Sequence, residues 1–156
     1  MTKANTNNNI RKKLQRIQSS LKAPKGQTNK FGGYSYRSCE DILTSLKPLL
    51  AIQECSIVIS DDLVPMAGRV FVKAVAKLID NETEDAIDAN GFAEHAETKK
   101  GMDLAQITGS ASSYARKYAL NGLFAIDDTK DADATNDHGK ASTKPTTNNK
   151  KTEELF

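Results

Sequence analysis

Apolar residues recur at helical spacing at Ile10, Leu14, Ile17 and Leu21, with Arg11, Lys12, Lys13 and Arg16 around the remaining surface. This pattern predicts an amphipathic basic helix whose stripe must dock on the core or on a neighbouring subunit. Ala23-Pro24-Lys25-Gly26 ends it. Residues 25–37 read as a loop or short strand, in which Lys25, Lys30 and Arg37 interleave with Phe31, Tyr34 and Tyr36 around glycines. Ser38 and Asp41 have the spacing of a capping box, opening a second helix near residues 39–51. Its buried side is Ile42, Leu43, Leu46, Leu49 and Leu50.

The period then changes from helical to alternating. Ile57-Val58-Ile59 read as a strand, Asp61-Asp62 as a solvated acidic link, and Pro65-Met66-Ala67-Gly68 as a turn. Over residues 69–79, Val70, Val72, Ala74, Ala76 and Leu78 face one way, and Arg69, Phe71, Lys73, Val75, Lys77 and Ile79 the other. Asp80-Asn81-Glu82-Thr83 is a hairpin turn, and residues 84–96 alternate more weakly, with Ile87, Ala89, Gly91 and Ala93 on one side. Asp103 and Gln106 form another capping box, and a helix over 103–121 follows. Its apolar stripe is Leu104, Ile107, Ala111, Ala115 and Tyr118, opposite a small, hydroxyl-rich and basic face of Gln106, Gly109, Ser110, Ser113, Arg116 and Lys117. The predicted fold is α+β: an antiparallel three-stranded β-meander packed on helices.

Residues 1–9 lack periodicity and residues 127–156 hold no apolar side chain larger than alanine, apart from one proline, until the last two positions, so residues 10–126 form the single predicted domain between a disordered leader and a disordered polar tail. The closing Glu153-Glu154-Leu155-Phe156 reads either as a docking peptide or as a frayed end. No segment has the apolar length of a membrane span, and the basic, polar start lacks the apolar run of a signal peptide.

Charge is unevenly distributed. Residues 1–30 carry a net +8, residues 31–126 a net −4 and residues 127–156 a net −2. A basic arm ahead of a mildly acidic core suits a polyanionic partner, or serves only as a solubilising leader. Cys39 and Cys55 are too few and too far apart for a zinc site and read as reduced residues of an intracellular protein.

Catalytic signatures are missing. Neither His95 nor His138 has a second histidine nearby, and the P-loop, dinucleotide and zinc-protease motifs are absent. Asp127, Asp128, Asp131 and Asp133 lack the spacing of a calcium loop. No enzyme, cofactor or metal is therefore expected. What remains is basic and aromatic. Arg69, Lys73 and Lys77 place cations about 14 Å apart at each four-residue step along one strand face. Such a row can follow the phosphates of an extended nucleic acid; the alternative is cross-strand pairing with Glu84, Asp88 or neighbouring acids. Phe31, Tyr34 and Tyr36 can stack on bases or pack at the domain edge. The candidate DNA contacts are these three cations with Lys30, Tyr34, Tyr36, Arg37, Lys99, Lys100, Ser113, Arg116 and Lys117.

Phe31-Gly32-Gly33-Tyr34-Ser35-Tyr36 followed by Asp41-Ile42-Leu43 resembles the opening motif of the ERF family of phage single-strand annealing recombination proteins. Gln106, Gly109, Ser110 and Tyr114 through Leu120 resemble its second signature, and Ile126-Asp127-Asp128 with Asp131 and Asp133 its acidic end. The resemblance spans residues 10–133. It implies a protein in the cytoplasm of the bacterial host that binds single-stranded DNA and anneals complementary strands without ATP. It implies a ring or helical filament of subunits, acting beside an exonuclease and often a single-strand-binding protein, with a core distantly like the Rad52-type annealing fold. The tail after Asp133 departs from the family in having no second domain, which puts any function of a larger C-terminal region in doubt. A non-annealing single-strand protector and a structural adaptor with a basic arm are the competing expectations.

Overall fold

The computed structural model describes residues 9–126. The leader before Asn9, the acidic cluster after Ile126 and the Glu153–Phe156 tip lie outside the described residues. Helix α1 (Ile10–Ser20) starts at Asn9, whose side chain accepts a hydrogen bond from the Lys12 amide at 2.9 Å. A hairpin of β1 (Gln27–Asn29) and β2 (Tyr34–Tyr36) follows, so the segment read as a loop or short strand folds as a two-stranded sheet of its own. Helix α2 (Cys39–Gln53) leads into the antiparallel meander β3 (Cys55–Met66), β4 (Arg69–Asp80) and β5 (Ala86–Glu94), and α3 (Leu104–Phe124) is the last element among the described residues.

The three helices cover one face of the meander. Val72, Ala74, Ala76 and Leu78 of β4 are buried against Ile42, Leu46, Ala115, Leu120 and Phe124, and Leu14 and Ile17 of α1 join the same core. Burying each of these larger aliphatic side chains contributes roughly 2 kcal/mol. The alternation read along β4 holds from Val72 to Leu78, whereas Val70, beside the turn, is exposed. Arg69, Phe71, Lys73, Val75 and Lys77 occupy the uncovered face, across from Met66, Val64, Asp62, Ser60 and Val58 of β3.

Four expectations are corrected. Asp61-Asp62 is not a turn: β3 runs straight through it, and the register puts Asp61 beside Ala74 on the helix-covered face. The turn is Ala67-Gly68 alone, with φ of 52° and 74°, as a two-residue type I′ hairpin requires. Lys13 does not lie on the solvent side of α1. Its ammonium is buried and bonds to Asp80 Oδ1 at 2.9 Å, side-chain exposures being 1% and 0%. Asp80 also accepts the Glu82 amide, so one carboxylate ties α1 to the β4–β5 turn. On α3, Leu104 and Tyr118 are exposed, and the buried stripe continues through Ala119, Leu120, Leu123 and Phe124. A helix lying across twisted strands buries a stripe that drifts with packing, which a five-residue pattern does not capture.

Both predicted capping boxes form. Ser38 and Asp41 exchange hydrogen bonds of 2.8 and 3.1 Å, and Asp103 and Gln106 exchange bonds of 2.8 and 3.0 Å.

Candidate nucleic-acid interface

The capping box at Ser38 fixes where β2 ends and α2 begins. It holds the Asp41 carboxyl below its usual range through the hydrogen bond from the Ser38 amide. Arg37, Ser38 and Cys39 are thereby set against the exposed flank of α3, whose small residues Ser110 and Ser113 leave room. Between them is a cavity of about 270 Å3. Tyr36, Arg37, Ser38 and Cys39 form one wall, and Ser110, Ser113, Tyr114 and Lys117 the other.

Tyr114 also borders a second cavity of about 360 Å3, which opens between α3 and the edge strand β5. Phe92, Lys99, Ser110 and Tyr118 line it. Tyr114 and Tyr118 are one helical turn apart with ring centroids at 6.2 Å, and the Lys117 ammonium stands 5.1 and 5.8 Å from the two rings. The rings' negative faces hold that cation at the rim of the first cavity. Tyr34 and Tyr36 make a similar tilted pair at 6.2 Å on the hairpin.

Arg116 has a different position. Its guanidinium bonds to both oxygens of Asp61 at 2.9–3.0 Å, and the Ser112 hydroxyl donates to the same carboxylate. Burial pushes the Asp61 carboxyl up, but the bonds from Arg116 and Ser112 outweigh it and hold the group below its ordinary value. Cys39 is buried, and that burial raises its thiol pKa.

The structure thus divides the sequence candidates into groups. Tyr36, Arg37, Ser113 and Lys117 meet in one cavity, and Lys99 lines the adjoining one. Tyr34 and Lys30 lie on the adjacent hairpin, and Lys100 is exposed next to Lys99. Arg69, Lys73 and Lys77 lie on the opposite face of the sheet. There Arg69 forms a two-pronged ion pair with Glu94, Lys77 stands across from Asp88, and Lys73 stands across from Asp62 and Phe92. The strand row and the α3 face are therefore not one groove. Tyr114, Ser38 and Asp61 were not among the candidates. The i, i+4 spacing of Tyr114 and Tyr118 around Lys117 was a readable signal for the first; nothing local marks Asp61.

Chemically, the first cavity offers three serine hydroxyls, a lysine, a largely buried arginine and the amino end of α2, a set that recognises phosphate oxygens beside aromatic rings suited to sugars or bases. Among the described residues, no group of three or more His, Cys, Asp or Glu is placed to hold a metal ion, and no helix is long and apolar enough to cross a membrane.

The sequence model of the ERF superfamily matches residues 10–155. The essential recombination function protein of Salmonella phage P22 is 54% identical over 121 residues, which are 78% of this chain and 57% of that protein. The chain thus spans little more than half the length of this relative. No solved structure matches it.

Proposed function

This chain belongs to the ERF superfamily, and we propose that it binds single-stranded DNA and anneals complementary strands, without ATP, in phage recombination. The relative's name supports the recombination role. The observation that carries the DNA reading is the cavity between α2 and α3. The two segments that resemble the family's signatures are about 70 residues apart in sequence, yet Tyr36 of one faces Ser110, Tyr114 and Lys117 of the other. A hydroxyl- and cation-lined site of this size takes a phosphate and leaves the pairing edges of the bases outside, as annealing requires.

A single site of this kind binds weakly, so the reading includes assembly. Subunits side by side turn weak phosphate contacts into an avid track. The long edge strand β3 and the edge strand β5 offer unpaired backbone for such contacts. The likeness of the core to the Rad52-type fold, and action beside an exonuclease and a single-strand-binding protein, rest on the sequence resemblance alone.

The test is to mix two labelled complementary strands with the full chain and follow duplex formation. Faster duplex formation in the absence of ATP supports the proposal. Binding with slowed annealing would identify a protector, and no binding would favour the adaptor.

A further inference from the structure

At the tip of the β1–β2 hairpin, Phe31 is fully exposed, at 104% of its reference area. Everything around it is pinned. The Asn29 side chain accepts the amides of Phe31 and Gly32 at 2.9 and 3.1 Å and donates to the Tyr34 hydroxyl at 2.9 Å, while its carbonyl accepts the Gly33 amide at 2.9 Å. Gly33 takes a φ of +63°, and the Tyr34 ring folds so close over Gly32 that an added Cβ would stand 2.4 Å from it. A hairpin of three residues per strand has little stability of its own. Here a network of hydrogen bonds through one asparagine holds it, and what it presents to solvent is an unsheltered aromatic ring.

The surroundings indicate what the ring meets. Residues 21–39 carry Lys22, Lys25, Lys30 and the buried Arg37, and no acidic side chain. That is a setting for a polyanion. From the tip, β2 leads through the Tyr34–Tyr36 pair directly to the Arg37 wall of the phosphate cavity. At about 3.3 Å per residue this path is on the order of 10–20 Å, which a few nucleotides cover.

We propose that Phe31 is a stacking wedge, inserted between two consecutive bases of a single strand whose phosphate occupies the Tyr36–Lys117 cavity. The inference rests on the single-stranded DNA reading above and adds a base contact to it. A ring entering from the stacking direction interrupts the base stack locally and leaves the pairing edges free. Each subunit then holds a short segment with its bases open to a complementary strand.

The chain contains no tryptophan, so Phe31→Trp creates a single reporter in the full protein. It is titrated with a thymidine oligonucleotide and with an abasic oligonucleotide of equal charge, while anisotropy of labelled copies reports binding. The wedge predicts that tryptophan emission is quenched by the thymidine strand along the binding isotherm and is unaffected by the abasic strand. Phe31→Ala is expected to weaken thymidine binding about tenfold, within the range of one lost base–aromatic stack. It leaves abasic binding and the thermal melt unchanged. If the thymidine strand binds with no quenching, or Phe31→Ala binds it as the natural protein does, the wedge is wrong and the single-stranded DNA reading survives. If neither strand binds, both fall. An emission blue shift that grows with protein concentration in the absence of DNA places the ring against another copy and overturns the wedge.

Discussion

A Cβ placed on Gly91 would stand 2.2 Å from the carbonyl oxygen of Ala115 and 2.4 Å from the amide nitrogen of Ala119. Helix α3 thus lies directly on the β5 backbone, with Ala111, Ala115 and Ala119 as its contact side. This approach sets the height of the helix above the sheet, and with it the position of Ser110, Tyr114 and Lys117.

Gly91→Ala is accordingly expected to destabilise the fold by about 3 kcal/mol, the upper range for forcing a methyl into a packed site. Gly122→Ala is the control. Its Cβ meets only the Ala89 methyl at 3.8 Å, and removing a helical glycine stabilises by about 1 kcal/mol. Urea unfolding curves of the two variants should move in opposite directions.

The buried Lys13–Asp80 pair predicts a dependence on pH. The hydrogen bond from Lys13 holds the Asp80 carboxyl below its ordinary value of 3.8, and the bond to Asp80 raises Lys13 above 10.5. The Asp80 contribution is complete above the unfolded carboxyl's pKa and is lost as pH falls through the lower folded value. That of Lys13 is complete below 10.5 and is lost as pH rises through the higher folded value. Lys13→Met should cost about 3 kcal/mol at neutral pH by stranding a buried carboxylate. The double variant Lys13→Met with Asp80→Asn should recover part of that loss and unfold with a shallower dependence on acid. Denaturant midpoints from pH 2 to 8 measure both.

Asp61 offsets the charge of Arg116 beside the proposed DNA cavity. Asp61→Asn retains a polar side chain and frees one positive charge. It should raise affinity for a single-stranded oligonucleotide about fivefold at low salt, the equivalent of about 1 kcal/mol for one solvent-screened contact. Anisotropy titrations of the two proteins give the comparison; a weaker complex would mean that the pair positions the site and does not restrain it.

The local signals in the sequence carried far. Both capping boxes, the strand parity of β4 and the meander follow from spacing alone, because they depend on neighbours a few residues away. The features that escaped depend on tertiary partners. Asp61 resembles a turn residue until β3 is paired in register with β4 and Arg116 is brought over it. Lys13 belongs by sequence to a basic helix surface, and only the arrival of Asp80, 67 residues later, makes its burial possible. Of the candidate site, Tyr36, Arg37, Ser113 and Lys117 were legible as residue types. Their meeting was not, nor was the separation of Lys73 and Lys77 onto the other face of the sheet.

That separation supplies the most direct test of where the single strand lies. Affinity for a fluorescent oligonucleotide is measured by anisotropy across a series of salt concentrations for the natural protein, Lys117→Gln, and Lys73→Gln with Lys77→Gln. Each phosphate neutralised contributes about −0.7 to the slope of log affinity against log salt. A strand seated between α2 and α3 predicts a clear salt dependence, a slope shallower by about 0.7 for Lys117→Gln, and an unchanged slope for the double variant. A flat salt response, or a slope that changes only when Lys73 and Lys77 are replaced, would contradict the account.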